Sequence, residues 1–268
     1  MKYKMIVLDM DDTLLQDDHT ISERTKKALM KVQDAGVKVV LASGRPTYGM
    51  KEMAEELKLA DYNSYILSFN GAKIIDWNTK KELYSSSLPP ETVHSLYKLS
   101  KREDVWIHTY IEDTIVTEQL NPYSEIESKL TGLPLLEVPS FINAVQQPVV
   151  KVLMIENPEK LINVEATLKK ELAGELTVLR SKPYFLEFTE SGVTKGASLK
   201  QLIESLGIEQ EEVMSFGDSY NDLTMIEFAG LGVAMGNATA EVKEKANYIT
   251  DSNMNDGVAK VIEKFFNV

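Results

Sequence analysis

The chain has 268 residues, of which 43% are hydrophobic, and a formal net charge of −12 at pH 7. This length allows one large domain or two moderate ones, and the acidic balance argues against nucleic acid as a partner, since that affinity depends on Lys and Arg. The absence of cysteine excludes disulfides, thiol catalysis and zinc–thiolate sites. The first apolar run stops after four residues at Asp9, too short for a signal peptide or a membrane helix, so we expect a soluble cytoplasmic protein without a membrane partner.

The N-terminal part of the chain alternates strand and helix patterns. The first predicted helix has Ser22 as its N-cap and ends before Gly36, and the second begins at Pro46. Continuous apolar strands joined by amphipathic helices predict a parallel sheet that is covered on both faces. The predicted strands are Lys4–Leu8, Val37–Ala42 and Tyr65–Phe69.

A different pattern begins near Lys73 and predicts a second domain at about residues 85–188. Its strands alternate and form hairpins, most clearly in VWIHTYIEDTIVTE, which turns at Glu112-Asp113. Two predicted helices interrupt these strands, at Glu91–Leu99 and Glu159–Leu172. This mixture is typical of an α+β domain with a partly antiparallel sheet.

After Thr189 the alternation of helix and strand returns. The predicted elements are helix Thr194–Leu206, strand Val213–Phe216, helix Asp222–Ala229, strand Leu231–Ala234, helix Thr239–Ala246 and helix Val258–Phe266. The simplest architecture is a Rossmann-like α/β core with a doubly wound parallel sheet, formed by residues 1–84 and 189–268. The α+β domain of residues 85–188 is then an insertion into this core.

Polar residues follow several of the predicted strands, where ligands bind in open α/β sheets. These residues are Asp9, Asp11, Asp12 and Thr13 after the first strand, Ser43, Gly44 and Arg45 after the second, Gly217 to Asp222 after the strand VMSF, and Lys195 at the start of a helix. Carboxylate ligands without sulfur or imidazole select Mg²⁺, and Asp9 and Asp218 are the best ligand candidates.

The same residue types suit phosphoryl transfer. A carboxylate in line with phosphorus can attack it, and a second acid two residues later can protonate the leaving oxygen and then activate water. Ser43, the backbone N–H of Gly44 and Lys195 can bind the phosphoryl oxygens, over which charge spreads in the transition state.

The order of these motifs strongly resembles the haloacid dehalogenase-like phosphatases. The first motif is Asp9-Met10-Asp11-Asp12-Thr13, the second is Ser43, the third is Lys195, and the fourth is Gly217-Asp218-Ser219-Tyr220-Asn221-Asp222. The insertion resembles the type IIB cap of the Cof-type branch. Many members of that branch dephosphorylate sugar phosphates, and some act on pyridoxal phosphate or flavin precursors.

The resemblance implies a Mg²⁺-dependent phosphomonoester hydrolase for a small phosphorylated metabolite, most often a sugar phosphate, with a cap domain that sets specificity. By this resemblance Asp9 is the nucleophile and Asp11 the general acid/base. The ion is held by Asp9, Asp218 and the backbone carbonyl of Asp11, with Asp222 in support. The implied phosphate contacts are the Met10 backbone, Ser43, Gly44, Lys195 and Asn221. We expect a monomer or a small homo-oligomer.

Further candidate substrate contacts are Arg45, Asn70, Gly71, His108, Tyr110, Tyr184 and Glu187. For the last four, packing or solvent exposure within the cap is the competing interpretation. The chain has Asp12 where the family commonly has Gly. Asp is among the residues that best tolerate the unusual dihedral angles of such a loop, so we expect the loop to remain functional.

Four other functions share part of this pattern. A phosphosugar mutase can carry the same first motif and cap, and it passes the phosphoryl group to a second sugar position instead of to water. A signalling receiver domain needs a nucleophilic Asp roughly where this chain has Ser43. A phosphate-ligand sensor would not need Asp11, and neither would a haloalkanoate dehalogenase, because halide leaves unprotonated.

Overall fold

The structure is a computed structural model and describes residues 2–267, which form fourteen strands and ten helices. The strands are β1 Met5–Leu8, β2 Lys38–Ala42, β3 Tyr65–Ser68, β4 Lys73–Asp76, β5 Glu82–Ser85, β6 Trp106–Ile111, β7 Thr114–Thr117, β8 Leu135–Glu137, β9 Val152–Ile155, β10 Leu176–Lys182, β11 Phe185–Glu190, β12 Val213–Gly217, β13 Leu231–Ala234 and β14 Tyr248–Ile249. The helices are α1 Glu23–Asp34, α2 Lys51–Glu56, α3 Pro90–Arg102, α4 Pro122–Thr131, α5 Phe141–Ala144, α6 Pro158–Glu171, α7 Lys195–Leu206, α8 Leu223–Phe228, α9 Ala240–Lys245 and α10 Gly257–Phe266. Within residues 2–267 no helix has the length and apolar character needed to cross a membrane.

The chain divides into two compact units. The first, called the core unit below, combines Met1–Tyr84 with Thr194–Val268. The second, called the inserted unit, is Ser85–Val193.

The core unit is built on an eight-stranded sheet in the order β14-β13-β12-β1-β2-β3-β4-β5. The strands from β14 to β3 are parallel, and β4 is antiparallel to β3. Strand β1 is apolar throughout because helices cover both faces of the sheet. Ile6 and Leu8 pack in the same cluster as residues of α1 and α10, whereas Met5 and Val7 pack with residues of α7 and α8. The predicted doubly wound α/β fold is confirmed.

The register of the central strands brings distant parts of the chain to one edge of this sheet. Strand β1 lies between β2 and β12, with Leu8 opposite both Leu41 and Phe216. Residues that follow these strands therefore emerge side by side, although they are far apart along the chain.

The inserted unit contains a six-stranded sheet in the order β10-β11-β9-β6-β7-β8. Its strand pairs are antiparallel except for β7 and β8. One face of the sheet packs against α3 and α6 through an apolar cluster that includes Ile107, Met154 and Leu186. Because side chains alternate along a strand, His108 and Tyr110 of β6 point to the face opposite Ile107.

Candidate active site

Three carboxylates and one ammonium group meet at the end of the core sheet. One carboxylate oxygen of each of Asp9, Asp218 and Asp222 lies within 4.8 Å of the others. Lys195 is completely buried, and its Nζ donates to Oδ1 of Asp9 at 2.5 Å and to Oδ1 of Asp222 at 2.7 Å. The core unit therefore brings together the first, third and fourth predicted motifs.

The loop after β12 is held closed by one of these acids. Oδ2 of Asp222 accepts the backbone N–H groups of Asp218 and Ser219, each at 3.0 Å. A Cβ atom on Gly217 would overlap the Asp222 side chain, so the glycine is what allows this close approach. Hydrogen bonds to Asp222 thus fix the backbone from which the Asp218 side chain projects.

Helix α7 carries Lys195 in its first turn. Thr194 is the N-cap, and its hydroxyl accepts the Ala197 N–H at 3.1 Å, which satisfies one of the free donors at the helix start. Gly196 lies so close to α8 that a Cβ atom would overlap the Thr224 carbonyl group. Tight packing between two helices therefore positions the ammonium group.

The charges in this cluster do not balance. Burial, followed by repulsion from Asp222, raises the pKa of Asp9 well above its usual value, although Lys195 partly opposes the shift. The same two causes raise the pKa of Asp218 to about 7. Burial alone would lower the pKa of Lys195, but the carboxylates of Asp222 and Asp9 outweigh it and raise this pKa. The site accordingly favours an additional positive charge.

The donor atoms of the cluster fit a hard divalent cation. All the charged acceptors are carboxylate oxygens, which are the ligands that Mg²⁺ prefers. Oδ1 of Asp218 accepts the Thr13 hydroxyl at 2.8 Å. Among the described residues no donor contacts the second oxygen, Oδ2, of either Asp9 or Asp218. These two side chains thus have oxygens available for a cation, whereas both Asp222 oxygens accept hydrogen bonds.

Asn70 joins two of the loops that follow the central strands. The Asn70 N–H donates to the Ser43 carbonyl at 2.9 Å, and the Asn221 side chain donates to Oδ1 of Asn70 at 3.0 Å. A Cβ atom on Gly44 would lie 3.2 Å from Oδ1 of Asn70. Asn70, in the left-handed conformation with φ 56°, therefore connects the loop after β2 with the loop after β12.

Asp11 is held by an arginine from the second motif. Nε and Nη2 of Arg45 donate to the two Asp11 carboxylate oxygens at 3.0 and 2.5 Å, and Nη1 donates to the Gly49 carbonyl at 3.2 Å. Asp12 adopts φ 60°, so it occupies the left-handed conformation in which the family commonly has Gly. The turn of the first motif thus directs Asp9 toward Lys195 and Asp11 toward Arg45.

Two predicted residues occupy packing positions. The Met10 side chain is buried in the apolar core, so only its backbone belongs to the site edge. Gly71 packs on α7, where its carbonyl accepts the Ser198 hydroxyl at 2.6 Å and a Cβ atom would lie 2.8 Å from the Thr194 carbonyl oxygen.

Residues 6–262 match the haloacid dehalogenase-like hydrolase family. The chain belongs to this family. A crystal structure of a haloacid dehalogenase-like hydrolase from Bacteroides thetaiotaomicron is 45% identical, with a TM-score of 0.91 over 99% of this chain and 100% of the other.

Two Bacillus subtilis proteins are also similar over nearly their whole length. YxeH, provisionally named a phosphatase, is 39% identical over 98% of each chain. YcsE, named a 5-amino-6-(5-phospho-D-ribitylamino)uracil phosphatase, is 35% identical over 97% of this chain and 94% of the other. The predicted family and the predicted enzyme class, a phosphatase, are confirmed.

The inserted unit of this hydrolase contains a buried polar cluster, defined here as His108, Tyr110, Glu127, Lys151 and Glu187. The Tyr110 hydroxyl donates to Glu127, and Lys151 Nζ donates to Oε1 of Glu187 at 3.0 Å. The His108 ring is completely buried beside the Tyr110 ring, at 5.9 Å between centroids, and its two nitrogens have no hydrogen-bond partner among residues 2–267.

Ionisation within this polar cluster is strongly affected by burial. Burial, together with the positive charge of Lys151, lowers the pKa of His108 to about 3, so the ring is neutral at pH 7. Burial and the Glu127 carboxylate raise the pKa of Tyr110 well above its usual value. Sequence patterns had singled out His108, Tyr110 and Glu187, but they gave no signal for Glu127 or Lys151.

Tyr184 lies outside the polar cluster. It stands in the turn between β10 and β11 and stacks on Tyr123 of α4, with 5.5 Å between ring centroids and 22° between ring planes. In the inserted unit its aromatic face is thus used for packing.

Proposed function

We propose that this hydrolase is a Mg²⁺-dependent phosphatase that acts on small phosphomonoesters through a phospho-aspartyl intermediate on Asp9. The observation that carries the proposal is the buried Asp9 carboxylate, which accepts from Lys195 and lies within 4.8 Å of the Asp218 and Asp222 carboxylates. A nucleophilic carboxylate in such a site is oriented by its ammonium partner and shielded from bulk water.

The side chains of Asp9 and Asp218 and the backbone carbonyl of Asp11 would hold Mg²⁺, with Asp222 in support. This assignment is supported by the oxygen-only donor set and by the excess of carboxylates over ammonium groups. When bound, the ion supplies positive charge that allows a phosphate dianion to approach these carboxylates.

The reaction then proceeds in two steps at phosphorus. The Asp9 carboxylate forms a bond to phosphorus while the bond to the ester oxygen breaks, and Asp11 gives its proton to that oxygen. In the second step Asp11 takes a proton from water, the water oxygen attacks the phospho-Asp9 group, and inorganic phosphate leaves with Asp9 restored.

Charge on the transferred phosphoryl group is stabilised by nearby donors. We assign this role to Lys195, to the side chains of Ser43 and Asn221, and to the backbone N–H groups of Gly44 and Met10. The hydrogen bonds through Asn70 that connect Ser43 with Asn221 support this grouping, since they hold the two loops in one arrangement.

For the substrate we propose a phosphorylated sugar or sugar alcohol, recognised with the help of the inserted unit acting as a cap. The phosphoribityl group in the name of YcsE supports this class. Within the inserted unit His108, Tyr110 and Glu187 are the proposed contacts, because a neutral imidazole, a hydroxyl and a carboxylate can bind hydroxyl groups. All three are buried, so the proposal requires the side chains around them to move when substrate binds. Arg45, Asn70, Gly71 and Tyr184 stay secondary candidates.

The test uses a panel of phosphomonoesters with Mg²⁺ and two variants. Asp9→Asn should reduce kcat by at least 10³-fold, a drop of roughly 4 kcal/mol in transition-state stabilisation, and should form no acid-stable phosphoprotein that decays in alkali. Asp17→Asn, at an exposed site in the same part of the chain, is the matched control and should keep the wild-type rate.

Phosphate release decides between hydrolysis and phosphoryl transfer. Near-normal turnover of Asp9→Asn would contradict the assigned nucleophile. Isomerised sugar phosphate without released inorganic phosphate would instead favour a mutase.

A further inference from the structure

A loop outside the four motifs holds both acid-bearing loops of the core unit. This 235–239 loop connects β13 with α9. Nδ2 of Asn237 donates to the Asp12 carbonyl at 2.7 Å, and the backbone N–H of Thr239 donates to the Asp218 carbonyl at 3.1 Å. One short segment therefore contacts the turn after Asp9 and the turn that carries Asp218.

The side chain of Asn237 is oriented by a second asparagine, Asn253. The Asn253 backbone N–H donates to Oδ1 of Asn237 at 3.1 Å, so the amide of Asn237 is oriented with its nitrogen toward Asp12. The Asn253 side chain donates to the Leu15 carbonyl at 2.9 Å. The turn that begins at Asp9 is thus held at Asp12 and again at Leu15.

The turn needs such support because Asp12 is not a glycine. A non-glycine residue in the left-handed conformation is strained and persists when its surroundings hold it there. Side chains hold this turn at Asp11, through Arg45, and at Thr13, whose hydroxyl donates to Asp218. The 235–239 loop and Asn253 add hydrogen bonds to its backbone, at the carbonyls of Asp12 and Leu15.

We propose that Asn237 is a positioning residue that sets the spacing between the Asp9 and Asp218 carboxylates. This inference rests on the proposed function. Asn237 binds the Asp12 carbonyl, and Thr239, two residues later in the same loop, binds the Asp218 carbonyl. The loop therefore fixes the two turns relative to one another. Groups that orient metal ligands in this way typically change metal affinity or activity by 10–100-fold.

The test compares Asn237→Asp with Asn255→Asp by calorimetric titration of the metal-free chain with Mg²⁺ alone. Asn237→Asp keeps the oxygen that accepts from Asn253 and replaces the donor to Asp12 by a second oxygen. Asn255 is exposed like Asn237, and within residues 2–267 its side chain donates only to the Ser252 hydroxyl, at 2.8 Å. Both variants therefore add one negative charge and remove one amide donor in neighbouring turns.

Asn237→Asp should raise the Mg²⁺ dissociation constant about tenfold, although its added charge would by itself attract the cation. Asn237→Ala should do the same, kcat should fall, and KM for the phosphate ester should stay near the wild-type value. Asn255→Asp should bind Mg²⁺ like the wild type. Equal Mg²⁺ affinity in the wild type and Asn237→Asp, or equal weakening in both aspartate variants, would overturn the proposal.

Asp9→Asn separates this proposal from the proposed function. If Asp9→Asn loses turnover while Asn237→Asp binds Mg²⁺ normally, the positioning role is wrong and the proposed function stands. If Asp9→Asn keeps full turnover, the proposed function fails, whatever Asn237→Asp does.

Discussion

The bidentate pair between Arg45 and Asp11 connects two motifs that lie far apart in sequence. A guanidinium group that donates to both carboxylate oxygens fixes the direction of that carboxylate as well as its distance. For Asp11 in its proposed role as general acid and base, this orientation affects both proton transfers.

Arg45→Lys should therefore lower kcat by roughly tenfold, because an ammonium group cannot make the planar double contact. Single-turnover kinetics should show that formation and decay of the phosphoenzyme are both slower. Arg180→Lys, which weakens the pair with Glu165 in the inserted unit, is the control and should leave both rates unchanged. An Arg45→Lys variant that slows neither step would contradict an orienting role.

The sequence predicted residues of the site whose chemical type is unusual at a strand end, such as Asp9 and Asp218. It did not predict Asn237 or Asn253, because an asparagine in a polar loop is common and its partner is set by tertiary contacts. It also gave Arg45 no partner, since the pairing with Asp11 follows from the neighbouring positions of β1 and β2.

At the level of secondary structure, the position of Lys195 depends on close contact between α7 and α8. Gly196 faces the Thr224 backbone, and its own N–H donates to the Thr224 hydroxyl at 3.0 Å. A side chain at this position cannot be accommodated by rotating a flexible group, because the atoms opposite it are backbone.

Gly196→Ala should push the two helices apart, lower the free energy of unfolding by about 1–3 kcal/mol and lower kcat through displacement of Lys195. Gly207→Ala at the C-terminal end of α7 is the control, since a Cβ atom there meets nothing within 4 Å. With φ 64° it should cost about 1 kcal/mol and leave kcat unchanged. Urea unfolding and steady-state rates test both variants, and a wild-type kcat in Gly196→Ala would contradict the packing argument.

Elements were predictable where their buried face is apolar. The predicted strands of the core agree with the structure to within a residue or so, because helices cover both faces of the sheet. Helix α4 was not predicted, since the residues it buries are Ser124, Glu127 and Thr131 and so carry no hydrophobic period. The helix expected to begin at Pro46 begins at Lys51, after a single turn at Tyr48–Met50.

Over the whole molecule, the two units should respond to acid in opposite directions when Mg²⁺ is absent. In the inserted unit the pKa of His108 falls to about 3 on folding, so between about 3 and 6.5 the unfolded state binds more protons and stability falls as pH falls. In the core unit the pKa values of Asp9 and Asp218 rise on folding. There the folded state binds more protons, and stability rises as pH falls toward the unfolded-state pKa.

The two tryptophans allow each unit to be followed separately, since Trp77 lies in the core unit and Trp106 in the inserted unit. The Trp77→Phe variant keeps Trp106 and so reports the inserted unit, whereas Trp106→Phe keeps Trp77 and reports the core unit. In urea unfolding with a chelator, the free energy of unfolding seen in Trp77→Phe should fall by roughly 2 kcal/mol between pH 7 and pH 5. The free energy of unfolding seen in Trp106→Phe should rise over the same interval. Adding His108→Gln to Trp77→Phe should remove its loss, whereas His94→Gln should leave the loss in place. A loss that survives His108→Gln would contradict this assignment.

The central position of β1 has a consequence for protein synthesis. Its neighbour β12 ends at Gly217, and Asp218 and Asp222 come later still, so a nascent chain on the ribosome exposes one edge of β1 until β12 has been translated. All of Ser85–Val193 leaves the ribosome before that edge is covered. The inserted unit can therefore fold first as a unit of its own, and the proposed site, which includes Asp218 and Asp222, can form only after β12 has been made.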